Sequence, residues 1–319
     1  MRSVATLLLL GMTSWGLTAC AQDTAASPPA EQAALRGEGQ APADDVMLHY
    51  RLFGETALED AIPLLILNGG PGLTSEHFGE LAGQLGQLGA GRTTITFAQR
   101  GTGRSELNQV DASTVNLAAM VADIEALREH LEVETWTVFG HSWGGMYAMA
   151  YAVEHSERVQ GLILSASGGS DLEWATSFQN NLRHRLGPER RAAYDRATTR
   201  QARVEAMAAA YVFDPDNIPF VIEALSRPGA SNPTIRSLVL QDLFRLEFDL
   251  RDELATFDRP TLLLHGRQDV LGTLVPYKTH QALPNSELIY LDACGHYLWL
   301  DQPDAYFAAI DAFLSEHAS

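Results

Sequence analysis

Lysine is almost missing from this sequence, and basic residues as a whole are few. Lys278 is the only lysine, and the 22 basic residues stand against 40 aspartates and glutamates. The resulting formal net charge of −18 argues against nucleic acid as a partner and against electrostatic docking on anionic lipid. Charge alone leaves the reaction open.

Cysteine is also scarce, since only Cys20 and Cys294 occur. If Cys20 is acylated, no internal disulfide can form, so export of this chain would not imply a disulfide scaffold. The sequence lacks a His-Glu-x-x-His pattern and clustered Cys and His residues. We therefore expect no metal and no other cofactor.

The apolar segment at the start is too short to span a membrane comfortably. Arg2 precedes it, leucines at residues 7–10 begin it and small residues end it, as in a secretory signal peptide. Residues 17–20 read Leu-Thr-Ala-Cys and resemble the lipoprotein box of bacteria. The resemblance implies a lipoprotein signal peptide over residues 1–19 and a lipid on Cys20.

The alternative for this segment is an ordinary A-x-A cleavage site at residues 19–21, which would leave a soluble periplasmic protein. We favour lipidation, because a cysteine placed here has no other evident use. The protein would then be an exported bacterial lipoprotein, anchored to a membrane through Cys20 alone and facing the periplasm or the cell exterior. Residues 20–45 are predicted to form a flexible tether, since they are rich in Ala, Gln, Pro and Glu without apolar periodicity.

From residue 46 onward, short apolar runs alternate with helical patterns. This alternation predicts an α/β fold with a mostly parallel sheet and helices on both faces. The predicted strands are residues 47–53, 64–67, 94–97, 135–139, 162–165, 261–264 and 288–291. The predicted helices are residues 75–88, 117–131, 145–155, 275–283 and 305–315.

Strand signals disappear over residues 169–256, where polar helical stretches predict a helical cap inserted before the strand at residues 261–264. Residues 46–168 and 257–319 would form the core. A cap at this place would cover the strand ends, where α/β folds bind ligands. The alternative is an appendage that only stabilises the fold.

The segment from Trp136 to Gly145 contains the most specific pattern of the chain. A short apolar run leads into Gly140-x-Ser142-x-Gly144, and a helical pattern follows at once. On such a tight strand-to-helix turn the serine hydroxyl points away from the sheet, and small neighbours are needed because the backbone is crowded. Ser142 is therefore predicted to be the nucleophile of a serine hydrolase; a chance occurrence in a Gly- and Ser-rich loop is the alternative.

A serine nucleophile needs a base and an acid that orients the base. In this type of fold they follow the serine in the order Asp or Glu, then His. Asp269 follows the strand at residues 261–264, and His296 follows the strand at residues 288–291, so both are predicted to lie at strand ends. Asp171 is the fallback for the acid. His141 and His265 are weaker candidates for the base: the side chain of His141, beside the serine, is expected to point elsewhere, and a histidine beside a strand, such as His265, is more often structural.

An oxyanion requires two backbone N–H donors. The amide of Trp143, directly after the serine, is one candidate. The second candidate is the amide of Gly70, in the sequence Asn68-Gly69-Gly70-Pro71-Gly72 after an early strand. The alternative for that sequence is a simple β-turn.

These segments resemble the α/β-hydrolase superfamily, and within it the proline iminopeptidase group of serine aminopeptidases. The resemblance is carried by residues 68–72, 99–105 and 121–167. It implies a catalytic triad of Ser142, Asp269 and His296 with Gly70 and Trp143 as oxyanion donors. Two positions differ from the family: Asn68 stands where histidine is usual, and Ala98 where aspartate is common.

The resemblance also implies that carboxylates of the cap bind the free α-amine of a peptide. Glu173, Asp242 and Glu247 are the candidates, although acidic cap residues can equally be solvated surface. The first hypothesis is an aminopeptidase that releases N-terminal proline or a small residue from short peptides. The alternatives are an esterase, lactonase or amidase acting on a small acyl substrate with the same triad, and a non-catalytic exported binding lipoprotein.

Overall fold

The computed structural model describes residues 35–317. The predicted signal peptide, Cys20 and the first part of the predicted tether lie outside these residues. Within them, eight strands form one sheet in the order β1-β2-β4-β3-β5-β6-β7-β8. The strands are β1 (Leu35–Ala43), β2 (Val46–Phe53), β3 (Leu64–Leu67), β4 (Thr94–Phe97), β5 (Trp136–His141), β6 (Val159–Ser165), β7 (Thr261–Gly266) and β8 (Ser286–Leu291).

The sheet is antiparallel only at one edge. β1 pairs antiparallel with β2 and β2 pairs antiparallel with β4, whereas all neighbours from β4 to β8 run parallel. Every residue of β3, β4, β5 and β7 is buried, as expected for parallel strands covered on both faces. The prediction of a mostly parallel sheet is confirmed.

The prediction of a flexible tether is wrong for residues 35–43, because they form β1. Residues from Gly37 to Ala43 pair one by one with β2, and Ala41 is fully buried. Glu38 joins this strand to the rest of the molecule, accepting hydrogen bonds from His49 at 3.2 Å and Arg104 at 2.9 Å. The sequence does not reveal this strand, because backbone pairing at a sheet edge needs few apolar side chains and tolerates proline.

Helices cover both faces of the sheet. They are α1 (Gly79–Leu85), α2 (Leu117–His130), α3 (Trp143–Glu154), α4 (Glu173–Arg196), α5 (Arg200–Met207), α6 (Ile218–Ser226), α7 (Pro233–Arg245), α8 (Arg251–Leu254), α9 (Leu274–Ala282), α10 (Leu298–Asp301) and α11 (Pro303–His317). The segment between β6 and β7, which we call the cap, contains helices α4 to α8, two 3-10 turns and the loops that join them. The helix predicted at residues 75–88 is shorter, since a 3-10 turn precedes α1.

Two apolar layers hold the helices to the sheet. Leu65 and Leu67 of β3 pack in the layer that contains α2 and α3, whereas Leu64 and Ile66 pack in the layer that contains α1 and α11. This alternation follows from the two-residue period of a strand. No helix of residues 35–317 is long and apolar enough to cross a membrane.

Candidate active site

Three chain segments that follow parallel strands carry the predicted catalytic residues. Ser142 comes directly after β5, Asp269 follows β7 and His296 follows β8. Because the carboxyl ends of parallel strands meet at one edge of the sheet, these segments lie together there.

Asp269 and His296 form a direct, buried pair. Nδ1 of His296 lies 2.9 Å from Oδ2 and 3.1 Å from Oδ1 of Asp269, and each residue is only 4 % exposed. The Leu271 amide donates to Oδ1 at 2.8 Å. A carboxylate can only accept hydrogen bonds, so it fixes the proton of the neutral imidazole on Nδ1. Nε2 of His296 is thereby left with a free lone pair, which a general base requires.

The pKa of Asp269 suits this role. Burial alone would raise it, but the two neighbouring imidazoles, His296 and His265, and the hydrogen bonds from His296 and the Leu271 amide lower the pKa to about 2. The side chain is therefore a carboxylate throughout the neutral range.

Ser142 lies in a strained turn between β5 and α3. Its backbone angles are φ 58° and ψ −121°, a region that non-glycine residues adopt only when their surroundings enforce it. The Ser142 amide donates to the Ser165 carbonyl at 3.0 Å, and the Ser142 carbonyl accepts from Gly145 and Gly168 at 3.0 and 2.9 Å. These bonds hold the turn.

The glycines of the turn are required by close backbone contacts. A Cβ on Gly140 would lie 2.3 Å from the Gly144 carbonyl oxygen, and a Cβ on Gly144 would lie 2.0 Å from the Leu67 carbonyl oxygen. No side chain fits at these distances, so the Gly-x-Ser-x-Gly pattern has a steric origin here.

The serine and the histidine are connected through His141, the residue before the serine. The imidazole rings of His141 and His296 have centroids 4.7 Å apart, and Nε2 of His141 donates to the His296 carbonyl at 3.0 Å. The sequence predicts that the His141 side chain points elsewhere, whereas its ring packs against the ring of His296. Within residues 35–317 no hydrogen bond joins the Ser142 hydroxyl to His296, and such bonds often tighten only when substrate binds.

The glycine loop after β3 lies against the serine. A Cβ on Gly69 would lie 2.8 Å from Cβ of Ser142, and Gly70 has a φ of 60°. Among the backbone hydrogen bonds of residues 35–317 outside helices and strands, none is donated by the Gly70 or Trp143 amide, so both N–H groups are available to a ligand.

Gln99 joins the two loops that supply these amides. Its Nε2 donates to the main-chain oxygen of Asn68 at 3.1 Å, and its Oε1 accepts from the indole Nε1 of Trp143 at 3.1 Å. Asn68 in turn donates to the carbonyls of Gly69 and Leu73, both at 3.1 Å. Asn68, Gln99 and Trp143 are all nearly fully buried. The sequence predicted no role for Gln99, since nothing in its local pattern indicates a contact across two loops.

The cap lies directly on the glycine loop. The Asn232 amide donates to the Gly72 carbonyl at 2.7 Å, and the Thr74 amide donates to the Ala230 carbonyl at 2.9 Å. The side chain of Asn232 also donates to the Gly101 carbonyl at 2.9 Å. The cap therefore forms part of the wall around the loop beside Ser142.

The three candidate amine-binding carboxylates have different surroundings. Asp242 is buried: its Oδ2 accepts from the Leu117 amide at 2.8 Å and its Oδ1 accepts from Arg245 at 2.6 Å, which is a structural arrangement. Glu173 forms an ion pair with Lys278, which lowers the pKa of the carboxyl group. Glu247 is exposed.

Glu173 and Glu247 line one open groove of about 500 Å³ together with Asp171, Asp249, Arg251 and Lys278. None of Ser142, Asp269 and His296 lines that groove. These two carboxylates therefore belong to a groove to which the predicted triad does not contribute. In residues 35–317 no three His, Cys, Asp or Glu side chains are grouped so that they could hold a metal ion.

His265 is a further buried group beside the pair. It is fully buried, and its Nε2 lies 3.8 Å from Oδ2 of Asp269. Burial lowers the pKa of His265, so the ring is neutral at neutral pH. No sequence pattern places His265 beside Asp269, because its position beside a strand indicates only packing.

Comparisons with known proteins identify the family of this chain. Residues 62–303 match the family model described as the alpha/beta hydrolase fold. The chain is 27 % identical over 298 residues to a proline iminopeptidase of Lactobacillus helveticus, covering 88 % of this chain and 98 % of the relative. It is 28 % identical over 287 residues to a proline iminopeptidase of Levilactobacillus brevis, covering 84 % and 93 %.

A similar solved structure is that of a proline iminopeptidase from Mycobacterium smegmatis. It superposes with a TM-score of 0.69 at 24 % identity, covering 88 % of this chain and 98 % of that chain. At this identity the likeness concerns the fold.

Proposed function

The chain belongs to the alpha/beta hydrolase fold family, and we propose that it is a serine hydrolase that acts by acyl transfer. The proposal is carried by one observation: the buried Asp269–His296 pair lies at the sheet edge where Ser142 occupies a strained turn. The imidazole of His141, next to that serine, contacts the imidazole of His296.

In the proposed first step, Oγ of Ser142 attacks the substrate carbonyl carbon and Nε2 of His296 accepts the hydroxyl proton. Asp269 keeps the imidazole oriented and stabilises the positive charge that it gains. The amides of Gly70 and Trp143 donate to the oxyanion. His296 then gives the proton to the leaving group, and an acyl-enzyme on Ser142 remains.

In the proposed second step, a water molecule attacks the acyl-enzyme. His296 accepts a proton from the water, the tetrahedral intermediate forms at the same two amides, and the proton returns to Ser142 as the acid product leaves. The proton of Ser142 thus leaves with the first product, a proton from water replaces it, and the enzyme is regenerated with water as the only co-reactant.

For the substrate, we propose a short peptide with a free N-terminus, from which proline or a small residue is released. The curated relatives named proline iminopeptidase support this proposal, because they align with this chain along 98 % and 93 % of their own length. The formal net charge of −18 also favours the approach of a cationic N-terminus.

One observation favours an ester, lactone or amide without a free amine as the alternative substrate. Asp242 is fully engaged in structural contacts, and the groove of Glu173 and Glu247 is not lined by the proposed triad. No candidate carboxylate is thus seen beside the reacting groups.

A substrate panel separates the two proposals. Prolyl and alanyl arylamides are compared with acyl esters of similar size, and the Ser142→Ala variant serves as the control for each. Arylamide turnover that requires Ser142 supports the aminopeptidase. Ester turnover without any arylamide turnover would instead establish the alternative, and no Ser142-dependent turnover of either class would contradict both.

We also propose that the chain is exported and lipid-modified at Cys20. Intact-mass analysis of the native protein should show an acylated N-terminus at Cys20. An unmodified mature chain beginning at Gln22 would overturn this proposal.

A further inference from the structure

A segment of the cap lies directly against the loop that carries His296. The His296 amide donates to the Tyr211 carbonyl at 2.7 Å, and the two rings lie 5.5 Å apart in an edge-to-face arrangement. The approach is close enough to require a glycine before the histidine. A Cβ on Gly295 would lie 2.6 Å from the Tyr211 carbonyl oxygen and 2.9 Å from Cα of Val212.

The backbone of His296 is therefore held from two sides. Its amide is bound by Tyr211 of the cap, and its carbonyl is bound by His141 of the nucleophile turn. The ring itself is bound by Asp269. A displacement of the cap segment would move the His296 amide while the ring stays bound to Asp269, and would change where Nε2 points.

One carboxylate fixes this cap segment to the histidine loop. Oδ2 of Asp301 accepts from the amides of Phe213 at 2.7 Å and Gly295 at 2.8 Å. Its Oδ1 accepts from the Asp214 amide at 3.1 Å and from Nδ2 of Asn217 at 2.9 Å. Three of the four donors belong to the cap, and the fourth is the residue directly before His296.

Arg185 binds the same segment through its carbonyl groups. Its Nε donates to the Ala210 carbonyl at 2.7 Å and its Nη2 donates to the Val212 carbonyl at 3.1 Å. The residue between them is Tyr211, whose carbonyl binds His296. The guanidinium of Arg185 thus binds carbonyl groups of the cap segment, and the carboxylate of Asp301 binds its amides.

We propose that Asp301 is a positioning residue that couples residues 210–217 of the cap to His296. It does not touch the reacting atoms; it sets the place of the amide to which the histidine backbone is tied. This inference rests on the proposed role of His296 as general base.

The test compares Asp301→Asn with Asp304→Asn in the full-length protein. Asparagine keeps one acceptor oxygen but places an amide donor at the other position, so two of the four hydrogen bonds are lost. Asp304 is an exposed carboxylate three residues away and serves as the matched control. Two quantities are measured: the second-order rate at which a fluorophosphonate labels Ser142, and the downfield proton NMR resonance of the His296 Nδ1–H.

We expect Asp301→Asn to slow labelling by about 10- to 100-fold, because a small misplacement of a catalytic group has effects of that size. The Nδ1–H resonance, identified by its loss in Asp269→Asn, should shift or broaden. Asp304→Asn should match the wild type in both quantities. If Asp301 has only a structural role, Asp301→Asn should have a lower melting temperature, while the labelling rate and the Nδ1–H resonance of the folded variant stay unchanged.

Labelling at the wild-type rate together with an unchanged resonance would overturn the inference. If Asp301→Asn does not fold, Asp301→Glu keeps the charge but displaces the oxygens, and the same two quantities decide. If the wild type itself is not labelled, the proposed serine chemistry fails, whereas the resonance still shows whether Asp301 positions His296.

Discussion

Replacement of Asp269 by asparagine would remove the charge that faces His296 while keeping nearly the same volume. The buried carboxylate accepts from Nδ1 of His296 at 2.9 Å and from the Leu271 amide at 2.8 Å. With asparagine, the amide group can donate to Nδ1, and this favours the imidazole tautomer whose proton is on Nε2. That tautomer cannot accept the serine proton, so we expect kcat to fall by about 10,000-fold. The corresponding loss of transition-state stabilisation is about 5 kcal/mol.

The assay is steady-state hydrolysis of the best substrate of the panel, measured at neutral pH for the wild type, Asp269→Asn and Asp292→Asn. Asp292 is an exposed carboxylate close to His296 in the chain and pairs with Arg267 at 2.7 Å, so its replacement changes the same net charge without touching the imidazole. We expect Asp292→Asn to behave as the wild type. A folded Asp269→Asn variant that keeps more than about a tenth of the wild-type kcat would refute the role of the carboxylate, since general acid–base catalysis alone contributes far more than that.

Three further predictions follow from contacts around the site. Replacement of Gln99 by leucine removes the oxygen that accepts the hydrogen bond of the Trp143 indole, and kcat should fall by about tenfold with little change in KM. An unchanged kcat in the folded variant would contradict the role of Gln99 as the residue that joins the Asn68 loop to Trp143. Asp242→Ala should lower the free energy of unfolding by about 1–2 kcal/mol, because the hydrogen bond to the Leu117 amide is lost, and should leave KM unchanged. A KM that rises for arylamides alone would instead show that Asp242 contacts the substrate amine. The pKa of Asp269 is lowered from 3.8 to about 2 on folding. The contribution of this carboxylate to stability is therefore present above pH 4 and is lost as the pH falls towards 2. In acid unfolding followed by circular dichroism, the stability of Asp269→Asn should fall less over this range than that of the wild type.

The main features of the fold could be predicted because they depend on local patterns. A buried parallel strand is a short apolar run, and β3, β4 and β7 begin at the predicted residues. The nucleophile turn could be predicted for the same kind of reason, since Gly140 and Gly144 are required by backbone contacts that any such turn makes.

The parts that could not be predicted depend on contacts between distant residues. β1 is held by backbone pairing with β2 and by the side chain of Glu38, and neither leaves an apolar pattern. Asp301 reads as an ordinary polar residue before a proline, yet three of its four hydrogen bonds go to residues more than 80 positions away.

The same dependence on distant contacts explains why the sequence could not show which cap carboxylate, if any, binds a substrate amine. An acidic residue on a cap helix can be solvated, paired or in contact with substrate, and the sequence does not distinguish these states. Asp242 is in structural contacts, Glu173 is paired with Lys278 and Glu247 is exposed. Their surroundings became known only from the packing of α7 on α2 and of the cap on α9.

The most direct test of the account is mass spectrometry after reaction of the wild-type protein with a fluorophosphonate. The account predicts one phosphonyl group per chain, located by peptide mapping on Ser142, and no adduct in Ser142→Ala. The absence of an adduct on the folded wild-type protein, or an adduct that persists in Ser142→Ala, would contradict it.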